Sequence, residues 1–203
     1  MKILCIGRNY AEHIAELNNE RPTEPVLFIK PDSAVLRNND AFYMPDFSND
    51  IHYEVEIVLK ICKIGKNISP KFAHKYYDEI GIGIDFTARD LQSKLKEKGL
   101  PWEKAKAFDA SAPISEFVNK ETLGDLKNLE FSLKINGETR QAGNTSMMLW
   151  DFDETIAEMS KYFTLKKGDL IFTGTPAGVG KVNIGDNLVA FIGDTEMLNF
   201  EIK

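Results

Sequence analysis

The amino-acid sequence reads as an α+β protein that is mainly β: a mixed β-sandwich or β-roll with short helices at its periphery. Three observations lead there. Strand-type stretches outnumber helical ones, about ten to four by hydrophobic periodicity. The helical stretches fall between strands without the regular strand–helix alternation of a doubly wound parallel sheet. Leu129 to Ile135 alternates in character up to Asn136-Gly137, a strong signal for a tight hairpin, with Glu138 to Gln141 as the return strand.

In chain order, Lys2 to Ile6 form a first strand ended by Gly7, and Asn9 is placed to cap a short helix from Tyr10 to Leu17. A polar stretch from Asn18 to Pro25 has the composition of a mobile loop. Val26-Leu27-Phe28-Ile29 has the character of a buried strand, with Lys30 at its end read as a solvated terminus or an anion ligand. Ala41 to Met44 is a short strand, and His52 to Leu59 a longer one rich in β-branched residues. Ser69-Pro70 starts a helix running to Tyr77. Ile80-Gly81-Ile82-Gly83-Ile84 reads as a strand with close backbone approach, and a charged helix from Asp90 to Lys98 is closed by Gly99. The lysines of Lys104-Ala105-Lys106 have the look of an exposed charge run. Asp151 and Glu154 sit at capping-box spacing before an amphipathic helix that extends to Phe163. Leu170 to Phe172, Asn187 to Ile192 and Met197 to Ile202 supply the remaining strands.

With 203 residues and neither a linker nor an internal repeat, residues 1–203 are expected to form a single domain. The apolar fraction of 43% and charged fraction of 28% are ordinary for a globular chain. A formal charge of -6 argues against nucleic acid as a partner, which calls for a basic footprint. No apolar run approaches the length of a bilayer span, so no membrane partner is expected. Met1 to Ile6 is too short for a signal peptide, and Cys5 and Cys62 read as buried thiols, which together point to the cytoplasm.

Candidate chemistry centres on carboxylates. Residues two apart on a strand share a face, so Glu54 and Glu56 project together while Tyr53, Val55 and Ile57 line the other side. Two carboxylates so close repel unless a cation or proton lies between them, and their hard oxygens suit Mg²⁺, Mn²⁺ or Ca²⁺. A solvated edge strand would explain a lone Glu-x-Glu equally well. Asp85 adds a third acid where the Ile/Gly strand gives way to a polar segment, although Asp85 or Thr87 could also serve as a helix cap. His13 and Glu16 stand three apart on one helix face, either as a surface pair or as an oriented acid–base pair. The turn Thr173-Gly174-Thr175-Pro176-Ala177-Gly178-Val179-Gly180 offers backbone amides to a small anion but lacks the Gly-Lys-Ser/Thr of a Walker loop.

Taken in order, several pieces resemble the fumarylacetoacetate hydrolase superfamily over nearly the whole chain. They are Gly7-Arg8-Asn9-Tyr10 with His13, Pro25 to Pro31, His52-x-Glu54-x-Glu56, Asp85-Phe86-Thr87-Ala88-Arg89-Asp90-Leu91-Gln92, Lys98 to Trp102 with Lys106-Ala107-Phe108, Asn136-Gly137-Glu138, and Thr173 to Gly180. Among subgroups the chain is most similar to the compact acylpyruvase and oxaloacetate decarboxylase branch. The resemblance implies a β-roll, a homodimer, and one Mg²⁺ or Mn²⁺ ion (Ca²⁺ in crystals) on Glu54, Glu56 and Asp85. It places Lys106 beside the metal and Gln92 and Thr175 near substrate. It assigns His13 and Glu16 to an acid–base dyad on a lid helix that orders on ligand binding, and Arg8, Lys30 and Arg89 to polar positions of the substrate site. The activity it implies is hydrolysis of the C–C bond of 3-acylpyruvates or decarboxylation of oxaloacetate, with a divalent ion stabilising the enolate. An isomerase or tautomerase of 2-hydroxy-dienoates or oxaloacetate is the alternative, and a non-catalytic 2-oxo-acid binding protein is a further one.

Overall fold

The computed structural model describes residues 1–16 and 22–203, without the side chains of residues 13–15. Its strands are β1 (Ile3–Gly7), β2 (Val26–Lys30), β3 (Val35–Leu36), β4 (Ile51–Tyr53), β5 (Val55–Ile61), β6 (Tyr77–Ile84), β7 (Thr87–Ala88), β8 (Ala112–Pro113), β9 (Val118–Asn119), β10 (Glu130–Ile135), β11 (Glu138–Asn144), β12 (Leu170–Phe172), β13 (Gly180–Lys181), β14 (Asn187–Ile192) and β15 (Thr195–Glu201). Among the described residues five α-helices accompany them: α1 (Ala11–Glu16), α2 (Pro70–Ala73), α3 (Arg89–Glu97), α4 (Glu103–Lys106) and α5 (Phe152–Tyr162). The fold is α+β and mainly β, as expected, with more and shorter strands than periodicity suggests. No helix among the described residues is long and apolar enough to cross a membrane.

Two sheets carry the molecule: one of six strands, in the order β2-β1-β12-β5-β6-β9, and one of four, in the order β11-β10-β14-β15. Between them lies the main apolar core. Ile57, Leu59 and Ile61 of β5 and Ile80, Ile82 and Ile84 of β6 meet Leu133 and Ile135, Leu188 and Ala190, Leu198 and Phe200 of the four-stranded sheet. Ile156 and Met159 of α5 join the same cluster. The alternate residues of the large sheet, among them Val58, Leu170 and Phe172, turn to a second cluster with Ile3, Cys5, Ala112 and Ile114. Being covered on both faces, β5 is apolar at every position except Glu56 and Lys60. Each fully buried Ile, Leu or Phe contributes about 1.5–3 kcal/mol.

Local signals of the sequence mostly behave as expected. Asn136 and Gly137 both take positive φ, 53° and 84°, as the hairpin between β10 and β11 requires. Asp151 caps α5 by accepting from the Glu154 amide, and Glu154 accepts in return from the Asp151 amide, both at 2.9 Å. Three expectations need correction. The helix after Ser69 ends at Ala73, because Tyr77 already begins β6. The stretch from Ala41 to Met44 makes a single bridge, Phe42 to Ile202, and is no strand. The stretch from His52 to Leu59 breaks at Glu54: β4 pairs with β13 and β7 in a small three-stranded sheet, whereas β5 belongs to the six-stranded one.

Candidate active site

The topology gathers the site at one end of the central strands of the large sheet. β1 and β12 run parallel and end there, at Gly7 and at Phe172 before the glycine-rich turn. β5 starts there and its antiparallel neighbour β6 ends there, with Val55 opposite Ile84. That register places Asp85 beside the Glu54–Glu56 pair, and the Asp85 amide donates to the Glu54 carbonyl at 2.8 Å. One oxygen from each of Glu54, Glu56 and Asp85 lies within 4.8 Å of the others, and all three side chains are buried. Neither the solvated-edge reading of the glutamates nor the cap reading of Asp85 survives; α3 starts after Ala88 without a side-chain cap.

Cations hold two of these acids. Lys106 lies 2.8 Å from Glu54 Oε2 and 2.6 Å from Asp85 Oδ2, and donates to Thr87 Oγ1 at 2.6 Å. Arg89 Nη2 reaches Glu54 Oε1 at 2.5 Å, while its Nη1 donates to Gln92 Oε1 at 2.6 Å. Lys30 Nζ sits 2.7 Å from Asp85 Oδ1 and is fully buried. It also donates to the carbonyls of Phe86, Lys106 and Ser111 and to Ser111 Oγ, all behind the acid rather than on the pocket wall. Lys30 is therefore neither a solvated strand end nor a surface for substrate; it braces Asp85 from inside. Lys106, which reads as part of an exposed run, is likewise buried, at 3% exposure.

Glu56 is treated differently. Its donor among the described residues is the Gly174 amide, 2.6 Å from Oε2. Burial, reinforced by the charges of Asp85 and Glu54, pushes its carboxyl well above the ordinary range, and Lys106 offsets this only in part. Burial lowers the Lys106 ammonium pKa, but Asp85 and Glu54 outweigh that effect and hold it above the usual lysine value. Three hard-oxygen donors converge, and one of them, Glu56, has no cationic partner among the described residues. A divalent ion fits this set: it would be held by Glu54, Glu56 and Asp85 and would supply the missing charge.

The glycine-rich turn thus feeds an amide to a carboxylate of the chain itself, where the sequence suggested a small external anion. Gly174 has φ of 98°, and a Cβ there would stand 2.6 Å from Asn9 Cβ, so only glycine fits. Asn9 is a clip: it donates to the carbonyls of Trp150 and Thr173, at 2.8 and 3.1 Å, and accepts from the Trp150 amide at 2.9 Å. Gln141 escapes sequence reasoning altogether. Buried at 1% exposure, it accepts from the Val55 amide at 2.9 Å and donates to Thr175 Oγ1 at 2.8 Å and the Pro176 carbonyl at 2.9 Å, tying β11 to both walls. Nothing in its surroundings marks it, because its partners are remote in sequence.

The pocket over the acids is walled by Arg8, Arg89, Gln92, Lys106 and Thr175, all picked out from the sequence, and by Phe28, Lys96 and Trp102, which were not. Trp102 leans on Phe28 with ring centroids 6.2 Å apart, closing the apolar side. Helix α1 reaches this region through Glu16, whose carboxylate accepts from the Gly178 amide at 3.1 and 3.2 Å. His13 lies on α1, but its side chain is outside the described residues, as are residues 17–21 of the expected lid.

Comparison with known proteins agrees with this architecture. The family model described as "Fumarylacetoacetate (FAA) hydrolase C-terminal" matches residues 2–203. A mitochondrial oxaloacetate tautomerase from Bos taurus is 41% identical over 201 residues, 99% of this chain and 91% of that protein. A mitochondrial oxaloacetate decarboxylase from Dictyostelium discoideum is 43% identical over 199 residues, 97% of this chain and 91% of that protein. Among solved structures, a fumarylpyruvate hydrolase from Pseudomonas aeruginosa in complex with Mn²⁺ and pyruvate superposes with a TM-score of 0.94 at 36% identity, covering 100% of this chain and 89% of that one. On the strength of the family match and of these relatives, the chain belongs to the fumarylacetoacetate hydrolase family.

Proposed function

We propose that the protein is a divalent-metal-dependent enzyme of small 2-oxo acids that interconverts the enol and keto forms of oxaloacetate. The observation that carries this reading is the buried Glu54–Glu56–Asp85 cluster, with Lys106 in contact with two of its members. A Mg²⁺ or Mn²⁺ ion on those carboxylates supplies Lewis-acid polarisation of the 2-oxo group. The name of the bovine relative favours tautomerisation over the two reactions that the sequence alone put first.

The chain's own groups have definite tasks in this chemistry. Lys106, kept an ammonium by Asp85 and Glu54, places positive charge beside the C2 oxygen as negative charge develops there. Gln92 and Thr175 orient the carboxylate end of the substrate from opposite walls. Phe28 and Trp102 exclude water from the C3 side. His13, assisted by Glu16, moves the proton between C3 and the C2 oxygen; the anchoring of α1 by Glu16 on Gly178 supports placing that helix at the site. Decarboxylation of oxaloacetate and hydrolysis of 3-acylpyruvates make the same demand on the metal end of the pocket, and the Dictyostelium and Pseudomonas relatives favour them as second readings.

The test follows freshly dissolved enol-oxaloacetate by ultraviolet absorbance, with CO₂ release recorded in parallel and acetylpyruvate as a second substrate, before and after EDTA. Enol loss that outpaces CO₂ release and disappears with EDTA is the expected result. CO₂ release at the rate of enol loss makes the protein a decarboxylase, and faster acetylpyruvate cleavage makes it a hydrolase. Activity indifferent to EDTA removes the metal from the reading.

A further inference from the structure

We propose that His52, held by Asp50, is a positioning residue of the candidate site: its Nδ1 accepts the Nε hydrogen of Arg89 and so keeps that guanidinium on Glu54 and Gln92. The consequence for metal affinity rests on the metal reading above; the hydrogen-bond chain itself does not.

His52 opens the stretch His52-x-Glu54-x-Glu56, yet it belongs neither to the carboxylate cluster nor to the pocket wall. Strand register shows what it stands beside. β4 and β7 are antiparallel, with His52 opposite Thr87. The same register continues on both sides of that pair. The Arg89 amide donates to the Asp50 carbonyl and the Asp85 amide to the Glu54 carbonyl, both at 2.8 Å. Residues two apart share a face, so Asp50, His52 and Glu54 form a row against Arg89, Thr87 and Asp85. Arg89 starts opposite Asp50 but closes on Glu54, at 2.5 Å. Its side chain therefore runs along the row, past His52. The electrostatics agree: burial, and next the charge of Arg89, lower the imidazole pKa.

Hydrogen-bond chemistry then gives the chain its direction. His52 Nε2 lies 3.0 Å from Asp50 Oδ1. A carboxylate only accepts, so Nε2 carries the hydrogen, and in the neutral ring Nδ1 is left as a lone-pair acceptor. Nδ1 is buried and has no hydrogen-bond partner among the described residues. Arg89 Nε, which can only donate, is buried and unpartnered among them as well. One donor and one acceptor, both costly to leave unpaired, lie along one row; a small turn of the ring or one bridging water joins them. Asp50 is a firm base for the chain, because its amide donates to Ser48 Oγ at 3.2 Å and its carbonyl holds the Arg89 backbone. The chain runs Asp50–His52–Arg89–Glu54, with a branch to Gln92 Oε1 through Arg89 Nη1. Lys106, the other cation on Glu54, needs no such support, since Asp85 and Thr87 hold it directly.

The experiment compares wild type with His52→Ala, His52→Asn and His52→Gln. Asparagine sets its amide oxygen where Nδ1 stood, so it keeps the acceptor for Arg89. Glutamine sets its amide nitrogen where Nε2 stood, so it keeps only the donor to Asp50. Proton–nitrogen NMR on metal-free protein reads the His52 tautomer and the exchange of the Arg89 Nε hydrogen; calorimetry reads Mg²⁺ affinity. Wild type should show the Nε2–H tautomer and a slowly exchanging Arg89 Nε hydrogen, retained in His52→Asn and lost in His52→Ala and His52→Gln. Mg²⁺ affinity should fall about tenfold or more in His52→Ala and His52→Gln and recover in His52→Asn, as for residues that orient a metal ligand. A hydrogen on Nδ1 in wild type, or an Arg89 Nε hydrogen indifferent to His52→Gln, overturns the proposal. Equal affinity losses in His52→Asn and His52→Ala overturn it too, by making His52 a packing residue. Should His52→Ala not fold, the wild-type tautomer and the His52→Asn and His52→Gln pair decide. A wild type that binds no Mg²⁺ overturns the metal reading, while the NMR arm still decides the chain from Asp50 to Arg89.

Discussion

The interior of this protein is built in two ways. Around Leu133, Leu188 and Phe200, the four-stranded sheet lays down alternating apolar side chains, and removal from water alone holds them together. At one end of the central strands of the six-stranded sheet the interior is ionic: Lys30, Lys106 and Arg89 interlock with Asp85 and Glu54, and among the described residues Glu56 alone has no cation in contact. The first kind of interior is nondirectional and tolerant. The second binds each charge to particular partners, because an unpaired charge out of water costs several kcal/mol. The difference teaches that burial at the candidate site serves to position charge rather than to stabilise the fold.

The sharpest way to break that contrast is Glu56→Ala. If Glu56 is held for a metal, the variant should lose Mn²⁺ binding by calorimetry and about 10³-fold or more in activity. Its metal-free stability in urea should match or exceed wild type, since a buried carboxyl under repulsion has been removed. Saturating Mn²⁺ should raise the melting temperature of wild type only. A large loss of metal-free stability would make Glu56 a structural residue.

Next in size is Lys30→Met. Stranding Asp85 without its internal partner should cost about 4 kcal/mol of stability by urea denaturation. Adding Asp85→Leu should recover most of that loss while activity stays absent, because a well-packed apolar pair can replace a buried ion pair. Failure of the double variant to recover would mean that Lys30 is needed for its hydrogen bonds to Phe86, Lys106 and Ser111 more than for the charge.

The smallest effect on function belongs to the apolar region. Leu133→Ala should cost on the order of 3 kcal/mol by leaving a cavity, with Mn²⁺ affinity and KM unchanged below the melting transition. A shifted metal affinity would show that the two interiors are coupled through Gln141, whose amide spans from β11 to Val55 and Thr175.

The two interiors were unequally legible in the sequence. Periodicity and turn chemistry found the hairpin at Asn136-Gly137, the capped helix α5 and most strands of the apolar half, since those signals are local. Spacing also brought Glu54, Glu56 and Asp85 forward, but their burial was not readable, because charged residues are by default exposed. Lys30 and Lys106 were misread for the same reason, and Gln141 went unnoticed: each is defined by partners on other strands. The break of the chain at Glu54 was equally hidden, for β4 and β5 form one unbroken β-type run and part company only because they pair with different sheets. Family resemblance, rather than spacing, singled out Arg8, Gln92 and Thr175, which do line the pocket.

Gly174 bears on how such a site can diversify. Its amide serves Glu56, and the room its missing side chain leaves is filled by Asn9. Any side chain there collides with Asn9 and also meets an unfavourable backbone angle, so this wall is closed to stepwise mutational change. Across the pocket, α3 is a regular helix, and beyond Arg89, which is tied to Glu54, a side chain on its pocket face can be exchanged without a change of backbone angle. New substrate preferences are thus accessible to a descendant of this chain through single changes on the pocket face of α3, while the glycine-rich wall is inherited unaltered.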